Sequence, residues 1–337
     1  MKQYIEKCLA GEHLSVSEAS AALELVMTNQ ASDIQIAGLL IALRAKGESP
    51  DELVGFARTM RDRAVRITPA DLDAIDMCGT GGDGMGTFNI STVASLVAAG
   101  AGVTVAKHGN RSVSSKCGSA DLFAAFGVNI QSPPERMLEC LNTIRIGFLF
   151  APLYHPAMKF AGKARVELGV RTIFNMLGPI INPAGVRKQV IGAYREDVAE
   201  MLAGALKKLD TTRACVLHSS DGMDEVTMAG ETRVFDVSEN GPLRSYSVNP
   251  SDFGLPKSSV EAVRGGTSEE NKAIALSILR KERSAARDVV LANAAIGIYV
   301  AGKAGTLKEG VAKAAESIDS GNALQTLNRF IEMTNRT

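Results

Sequence analysis

The sequence has no excess of either charge, no paired cysteine motif and no long apolar run. Its 37 basic and 37 acidic residues balance, which argues against a duplex-binding protein but leaves room for a local basic patch. The five cysteines are scattered and never lie in C-x-x-C spacing, so we expect neither a disulfide framework nor a zinc site. No stretch approaches ~20 uncharged apolar residues, and the first residues lack the apolar segment of an export signal. We therefore expect a cytoplasmic protein that does not span a membrane.

The composition that remains is that of a globular protein. Hydrophobic residues make up 45% of the chain and charged residues 22%, both within the ordinary range. A length of 337 residues exceeds the usual size of one hydrophobic core. The length therefore predicts two domains, or one large α/β domain with an insertion.

The N-terminal part, residues 1–65, carries the start signals of several helices. The stretches 15–18, 32–35 and 49–52 each begin with Ser and end with Glu or Gln, which is the capping-box pattern. Pro50 suits the first position of a helix because the N–H that proline lacks would be unpaired there. These signals predict a small all-helical domain.

From Leu72 onward the pattern changes to short apolar runs that alternate with glycine turns and alanine-rich stretches. Such alternation predicts a larger α/β domain with a mostly parallel central sheet flanked by helices. The segment DVVLANAAIGIYVAG predicts a buried helix near the C-terminus. We divide the chain into a helical domain, 1–71 with about 157–188, and an α/β domain, 72–156 with about 189–337.

The run GTGGDGMGTFNIST, residues 79–92, follows a predicted strand and precedes a predicted helix. Glycines let the backbone approach an anion closely, and N–H groups at a helix start point toward it. Asn89, Ser91 and Thr92 add side-chain donors. The spacing fits neither G-x-G-x-x-G nor the P-loop pattern. We expect this run to bind phosphate or diphosphate instead of serving only as a tight packing turn.

The run KHGNRSVSSKCGS, residues 107–119, follows the next predicted strand. Lys107, Arg111 and Lys116 alternate with small hydroxyl and amide side chains. Arginine can bind phosphate oxygens with two parallel hydrogen bonds, whereas lysine acts as a point charge. A solvated basic loop is the common alternative, but neighbouring strand ends are where open α/β sheets bind ligands. We therefore expect a second phosphate site here.

Asp224 and Glu225 form an acidic pair just after another predicted strand. Adjacent carboxylates in a loop point in different directions, so each could hold a different Mg²⁺ that keeps several waters and contacts diphosphate oxygens. Acidic dipeptides are usually solvated surface. Only the two phosphate motifs favour a metal site for this one.

Together these motifs resemble the anthranilate phosphoribosyltransferases of tryptophan biosynthesis. The resemblance covers essentially the whole chain, including GTGGD, NIST, KHGNRSVSS, the acidic pair and NMLGPIINPA at 175–184. Pyrimidine nucleoside phosphorylases share the first and third of these motifs. NIST and the acidic pair favour the transferase branch.

The resemblance implies a set of site residues. Its phosphoribosyl diphosphate contacts fall on Gly79, Gly82, Asp83, Thr87, Asn89, Ile90, Ser91, Thr92, Lys107, His108, Gly109, Asn110, Arg111, Ser112, Val113, Ser114, Ser115 and Ser119. Its magnesium ligands, for two ions per monomer, fall on Ser91, Asp224 and Glu225. Its anthranilate contacts fall on Gly79, Asn110 and Arg165. The resemblance also implies a homodimer formed through the helical domains, a hinge between domains, and a pocket wall that includes His108 and His155.

The implied reaction is displacement of diphosphate from phosphoribosyl diphosphate by the amine of anthranilate. An arylamine is already uncharged at neutral pH, so the reaction needs no strong general base, and we assign no catalytic residue. Catalysis would come from positioning and from stabilising the departing diphosphate. Two alternatives stay open: a pyrimidine nucleoside phosphorylase, and a non-catalytic relative that binds nucleic acid.

Overall fold

The structure, a computed structural model, describes residues 1–71, 73–112 and 116–336. Leu72, where the sequence pattern changes, lies outside the described residues. The α-helices are α1 (Lys2–Leu9), α2 (Val16–Met27), α3 (Asp33–Lys46), α4 (Pro50–Asp62), α5 (Ile90–Gly100), α6 (Ser119–Phe126), α7 (Pro134–Ile144), α8 (Ala151–Tyr154), α9 (Lys159–Leu168), α10 (Phe174–Leu177), α11 (Glu196–Lys208), α12 (Pro250–Phe253), α13 (Ser268–Leu279), α14 (Ala285–Val300), α15 (Leu307–Asp319) and α16 (Asn322–Thr334). The strands are β1 (Ile75–Gly79), β2 (Val105–Gly109), β3 (Ile146–Phe150), β4 (Lys188–Gly192), β5 (Arg213–Ser219), β6 (Thr232–Ser238) and β7 (Arg244–Val248).

Helices α1 to α4 form the N-terminal unit, and the three predicted capping boxes are confirmed. In each of them the side chain of Ser15, Ser32 or Ser49 accepts a hydrogen bond at 3.3 Å from the backbone N–H three residues on. The side chain at that third position accepts one in return from the serine N–H. A cap of this kind contributes ~1 kcal/mol of helix stability. The sequence therefore specifies where these helices begin.

The strands of the described residues form one sheet with the order β3-β2-β1-β4-β5-β6-β7. Neighbours from β3 to β5 pair in parallel, whereas β6 and β7 are antiparallel additions at one edge. This architecture confirms the predicted class, a helical N-terminal part joined to a mostly parallel sheet flanked by helices. The short edge strand β7 is not among the predicted strands.

The strand order reverses between β1 and β4, which lie side by side although β2 and β3 separate them in sequence. Gly79 and Gly192 pair at the carboxyl ends of these two strands. In open α/β sheets, ligands bind outside the carboxyl ends of the strands at such a reversal. Both phosphate motifs and the acidic pair follow strands that end at this edge.

Two hydrophobic clusters hold these elements together. One contains α5 and α14 on one face of the sheet, and 13 of the 16 residues of α14 are buried, which confirms the predicted buried helix. The other joins the N-terminal helices to residues between Ala161 and Ile181, and it extends onto β4, β5 and α11. Mid-chain helices therefore pack against the N-terminal helices, while the division of the chain into two domains stays a prediction.

Within the described residues, none of the helices has the length and apolar character needed to cross a membrane.

Candidate active site

The glycine turn, residues 79–89, leads from β1 into α5 and has a backbone that requires glycine. Gly81, Gly82, Gly84 and Gly86 have φ values of 65°, 76°, 77° and 65°. These lie in the left-handed region, which residues with a Cβ atom rarely adopt. The turn therefore bends sharply without side chains in the way of a ligand, as an anion-binding loop must.

The acidic pair, Asp224 and Glu225, lies directly on the first motif. Asp224 Oδ2 accepts a hydrogen bond from the Gly81 N–H at 3.0 Å, and Glu225 Oε1 accepts one from the Ser91 N–H at 3.0 Å. Asp83 Oδ2 in turn accepts a bond from the Asp224 N–H at 3.4 Å. The two adjacent carboxylates therefore point to different parts of the motif, one to the glycine turn and one to the start of α5.

This close approach explains the glycine pair at the strand ends. A Cβ atom on Gly79 would lie 2.6 Å from Asp224 Oδ2, and one on Gly192 would lie 1.5 Å from the Asp224 carbonyl oxygen. Neither separation is compatible with a real side chain. The last residues of β1 and β4 must therefore both lack a side chain for the acidic pair to reach the glycine turn.

The electrostatics of the acidic pair favour a cation. Burial raises the pKa of Asp224 well above its usual range, and the charge of Asp83 raises it further. Burial likewise raises the pKa of Glu225, with the Asp224 charge next in importance and Lys107 acting in the opposite direction. A divalent cation would remove this penalty on the charged forms.

Metal binding here would depend on more than protein ligands. No group of three or more His, Cys, Asp or Glu side chains in the described part of the chain is arranged to hold a metal ion alone. Mg²⁺ commonly binds through one or two carboxylates, with waters and phosphate oxygens completing its shell. The donor set of Ser91, Asp224 and Glu225 therefore fits Mg²⁺ that arrives with a phosphorylated ligand.

The start of α5 differs from the sequence-based expectation of free N–H groups. The Ser91 N–H donates to Glu225, and the Thr92 N–H donates to the Asn89 carbonyl. Anion donors must therefore come mainly from the glycine turn. The Ile90 side chain is buried in the core and Thr92 is also buried, whereas Thr87 forms an isolated β-bridge with Arg264.

Lys107, in the middle of β2, lies between β1 and the start of α5 instead of projecting into solvent. Its side chain is buried, and its Nζ donates to the Met77 carbonyl and, at 3.4 Å, to Ser91 Oγ. This contact places the ammonium beside the predicted metal ligand Ser91. Its charge can therefore stabilise anions at the floor of the cleft.

The basic loop, residues 107–119, is organised by Asp121. The Asp121 carboxylate accepts hydrogen bonds from the N–H groups of Ser112 at 3.1 Å and Gly118 at 2.9 Å, and it pairs with Arg111 at 2.6 Å. Arg111 therefore has a carboxylate partner within the protein. At the base of the loop, Ser119 Oγ donates to the Asn110 carbonyl at 3.4 Å.

Asn89 joins the two phosphate motifs. Its Nδ2 donates to the Cys117 carbonyl at 2.9 Å, and its Oδ1 accepts from Asn271 Nδ2 at 3.0 Å. The structure thus brings the glycine turn, the basic loop and α13 together at this side chain. Three residues of the predicted phosphate site lie outside the described residues, namely Val113, Ser114 and Ser115.

His108 and His155 form a buried pair beside residues 175–184. Their ring centroids are 5.2 Å apart, and His108 Nδ1 lies 3.0 Å from the Gly178 carbonyl. Since a carbonyl can only accept, Nδ1 carries the proton and Nε2 is a bare acceptor. Burial, followed by His155, lowers the pKa of His108 to about 3, and burial lowers the pKa of His155 to about 4. Both rings are neutral at pH 7.

Asp76 is a buried carboxylate in β1 that the sequence-based site does not include. Its Oδ1 accepts from the His108 N–H at 3.1 Å and its Oδ2 from Asn182 Nδ2 at 2.8 Å. Asn182 Nδ2 also donates to the Ala106 carbonyl at 2.8 Å. Burial raises the pKa of Asp76 to about 6, with the charge of Lys107 opposing that rise. A single acidic residue inside the apolar run AIDMC is the only signal of it in the sequence.

Arg165 lies on α9, apart from the phosphate motifs. Its guanidinium carbon is 5.0 Å from the Phe174 ring centroid, and no hydrogen bond or ion pair involves that side chain within the described residues. Burial lowers the pKa of this group. A partly desolvated cation without a carboxylate partner favours an anionic ligand.

Arg171, between α9 and α10, is the second residue that the sequence reasoning missed. Its Nη2 donates to the Gly82 carbonyl, and its guanidinium carbon lies 4.1 Å from the Tyr194 ring centroid. The contact joins the mid-chain segment, residues 151–182, to the glycine turn. Nothing in the spacing VRT at 170–172 identifies such a contact.

The arrangement as a whole can bind a phosphorylated ligand between anionic and cationic groups. The acidic pair can hold a divalent cation, Lys107 supplies a fixed positive charge below it, and the glycine turn supplies backbone donors. Among the described residues, Asp76, Cys78, His108, His155 and the acidic pair are titratable groups of the cleft whose pKa values depart from the ordinary range. Such clustering is typical of a functional site.

Comparison with known proteins agrees with this geometry. The helical bundle domain of the Glycosyl transferase family matches residues 2–64, and the a/b domain of that family matches residues 71–324. An anthranilate phosphoribosyltransferase of Moorella thermoacetica is 49% identical over 331 residues, which are 98% of this chain and 97% of that protein.

Solved structures are similar over the same extent. The crystal structure of the anthranilate phosphoribosyltransferase of Thermus thermophilus has a TM-score of 0.93 and 42% identity and covers 99% of each chain. The Saccharomyces cerevisiae enzyme in complex with PRPP and Mg has a TM-score of 0.90 and 28% identity, over 99% of this chain and 97% of that one. The same yeast enzyme in complex with 4-fluoroanthranilate has a TM-score of 0.89 and 27% identity, over 99% and 97%.

Proposed function

We infer the chemistry of this cleft from the family to which the chain belongs, the anthranilate phosphoribosyltransferases. The chain transfers the 5-phosphoribosyl group of phosphoribosyl diphosphate (PRPP) to the amine of anthranilate, which gives N-(5-phosphoribosyl)anthranilate and diphosphate in tryptophan biosynthesis. Neither alternative, a nucleoside phosphorylase or a nucleic-acid binder, is favoured by these relatives. The reaction requires a subsite for each of the two substrates and one for the metal.

We propose that PRPP binds between the glycine turn and the basic loop. The contacts at Asn89 support one continuous site, because this side chain joins both motifs. Lys107 supports binding of the diphosphate through its buried charge, and the left-handed glycines leave the backbone of the turn accessible. The Arg111 guanidinium would exchange or share its partner Asp121 when phosphate is present.

We propose that Ser91, Asp224 and Glu225 hold two Mg²⁺ ions per monomer together with the diphosphate oxygens of PRPP. Support comes from the carboxylates themselves, whose pKa values are raised by burial and by the charge of a neighbouring carboxylate, Asp83 for Asp224 and Asp224 for Glu225. The related yeast structure was solved with PRPP and Mg. When bound, the metal neutralises the charge that develops on the leaving diphosphate.

We propose that Arg165 binds the carboxylate of anthranilate, with Gly79 and Asn110 at the same subsite. The absence of an ion-pair partner for Arg165 within the described residues supports this role. The arylamine attacks as a neutral nucleophile, so the protein has to hold it against C1 of the ribosyl group and exclude water. The neutral rings of His108 and His155 suit the wall of such a pocket, because they carry no charge that would compete with Arg165 for the anthranilate carboxylate.

One observation carries the assignment, namely the contact of the acidic pair with the glycine turn and the start of α5. The test mixes the protein with PRPP, Mg²⁺ and anthranilate and follows the loss of anthranilate fluorescence. We expect the fluorescence to fall only when the protein, PRPP and Mg²⁺ are all present, and a protein-free mixture is the control. Phosphorolysis of thymidine or uridine without anthranilate consumption would instead support the phosphorylase alternative.

We also propose that two copies associate through the helical domains, which we assign to residues 1–71 with about 157–188. Leu9, Ile34 and Val166 are 72%, 84% and 81% exposed, and their helices α1, α3 and α9 are neighbours, with α3 in contact with both of the others. Exposed apolar side chains on adjoining helices are typical of an interface. A cytoplasmic location stays a prediction.

Val166→Glu tests this association because it places a charge on the exposed apolar face. We expect the wild-type protein to have the mass of a dimer by light scattering and the variant to shift toward monomer. Leu243→Glu, at a partly exposed position in the α/β part of the chain, is the matched control. A monomeric wild-type protein would contradict the proposal.

A further inference from the structure

Arg171 connects three parts of the chain that are distant in sequence. Its guanidinium donates to the Gly82 carbonyl of the glycine turn and stacks over Tyr194, which follows β4. Its own carbonyl accepts a hydrogen bond from Arg44 at the end of α3. One residue of the mid-chain segment thus contacts the N-terminal helices and the phosphate motif together.

The contact with Gly82 determines the orientation of one peptide group. In a trans peptide the carbonyl of one residue and the N–H of the next point in opposite directions. Because Arg171 binds the Gly82 carbonyl, the N–H of Asp83 points away from Arg171. That N–H has no hydrogen-bond acceptor among the described residues, so it is available as a donor.

The Tyr194 ring packs against one face of the Arg171 guanidinium, and its backbone is hydrogen-bonded to the glycine turn. The Tyr194 N–H donates to Thr80 Oγ1 at 3.2 Å, and the Thr80 N–H donates to the Gly192 carbonyl at 2.8 Å. A planar guanidinium can stack on a ring and donate in its own plane at once, whereas an ammonium cannot do both equally well. The residue type is therefore matched to its two contacts.

We propose that Arg171 is a positioning residue for phosphoribosyl transfer, which stacks on Tyr194 and orients the Gly82–Asp83 peptide so that the Asp83 N–H donates to the diphosphate of PRPP. Arg171 does not touch either substrate in this arrangement. The inference rests on the proposed function, since it presupposes that PRPP binds at the glycine turn. It predicts that a change at Arg171, in the mid-chain segment, affects the KM for PRPP and not the KM for anthranilate.

The test compares Arg171→Lys, Arg171→Ala and Tyr194→Leu with the wild-type enzyme in steady-state kinetics for both substrates. We expect the KM for PRPP to rise about tenfold in both Arg171 variants, because one charge-assisted contact that orients a phosphate donor is lost. The KM for anthranilate should stay within about twofold, and kcat should fall less than the KM for PRPP rises. Arg187→Ala, which removes a surface arginine at the amino end of β4, should leave all three constants unchanged.

The Tyr194 variant separates positioning from a direct contact. Tyr194→Leu should raise the KM for PRPP by about threefold, and the Arg171→Lys Tyr194→Leu double variant should be no worse than Arg171→Lys alone, since both changes remove one arrangement. Tyr194→Phe keeps the ring and should behave as wild type. Multiplicative effects in the double variant, or a larger change in the KM for anthranilate than for PRPP, would overturn the proposal.

PRPP binding measured by calorimetry with Mg²⁺ and without anthranilate gives a second reading. Weaker binding in Arg171→Lys with an unchanged thermal midpoint of the free protein supports positioning, and unchanged binding overturns it. Failure of the proposed function is distinguishable, because the wild-type protein itself would then neither bind PRPP nor transfer its sugar.

Discussion

The proposed PRPP side of the cleft (the donor side), residues 79–92 with the acidic pair, differs from the proposed anthranilate side (the acceptor side), Arg165 with the His108–His155 pair. On the donor side the carboxylates of Asp224 and Glu225 accept hydrogen bonds from backbone N–H groups of neighbouring motifs. On the acceptor side, the Arg165 guanidinium and His108 Nε2 have no hydrogen-bond partner within the described residues. The donor side is thus ordered by hydrogen bonds within the protein, whereas the acceptor side has polar groups without a hydrogen-bond partner among the described residues.

This difference arises from how each side is built. Donor residues lie at strand ends, where the register of the sheet fixes the backbone positions. Acceptor residues lie mostly on the mid-chain segment, which packs against the N-terminal helices. The comparison implies that changes on the donor side affect metal and PRPP together, while changes on the acceptor side affect anthranilate alone.

The largest effect should come from the acidic pair. Asp224→Asn and Glu225→Gln keep the shape of each side chain and remove its charge, so we expect kcat to fall by about 10²–10³ and the Mg²⁺ concentration for half-maximal rate to rise. Titration of the rate with Mg²⁺ measures both. Glu231→Gln, an exposed acid in the same loop, should behave as wild type, and unchanged metal dependence in both variants would remove the metal role.

A smaller and more selective effect should come from Arg165. Arg165→Ala removes a charge-assisted contact worth about 1.5–3 kcal/mol, so we expect the KM for anthranilate to rise about 10- to 100-fold while the KM for PRPP changes little. Lys163→Ala, on the same helix and paired with Asp33 at 3.1 Å, is the matched control. Equal changes in the KM values for anthranilate and PRPP would contradict a carboxylate-specific contact. They would also mean that the two sides of the cleft do not bind separate substrates.

The smallest effect concerns His155 on the acceptor side. We expect this residue to make the free energy of unfolding depend on pH. The folded pKa of His155 lies at about 4, below the unfolded value of about 6.5. The folded state therefore binds fewer protons, and the stabilisation is complete above pH 6.5 and is lost as the pH falls through about 4. At pH 5 the loss from His155 alone amounts to at most about 2 kcal/mol.

We expect His155→Gln to lose less unfolding free energy than the wild-type protein between pH 7 and pH 5, measured by urea denaturation. Asp76 acts with the opposite sign, since its folded pKa of about 6 lies above the ordinary value, but its contribution is common to both proteins. His13→Gln, which changes an exposed histidine, is the matched control. An unchanged slope in His155→Gln would mean that this ring is not buried neutral.

Local signals in the sequence account for much of the fold. The capping boxes at Ser15, Ser32 and Ser49 determine helix starts through contacts within four residues. These starts can therefore be predicted from the sequence alone. The strands that form the parallel part of the sheet are apolar runs, because both of their faces are buried. Strand β7, with the sequence RSYSV, is largely exposed and lacks that signal, so the apolar pattern does not predict it.

The candidate site is predictable to the extent that its residues are grouped in motifs. The glycine turn and the acidic pair are expected to meet, and they do. Asp76 and Arg171 escape prediction, because their contacts with Asn182 and Gly82 are 106 and 89 positions away in the chain. Contacts over such separations produce no regular residue spacing that could be recognised in one sequence. The roles of all site residues stay predictions until the variants are measured.

The hydrogen bond between Ser91 and Glu225 also has a consequence for folding and synthesis. It spans 134 positions, and the bond from Gly81 to Asp224 spans 143. Contacts of such long range form late because the chain between them must first be ordered. During translation, the glycine turn and the start of α5 leave the ribosome more than 100 residues before their carboxylate partners Asp224 and Glu225. A nascent chain that ends before β5 therefore holds every glycine of the turn and still lacks two of the three proposed metal ligands.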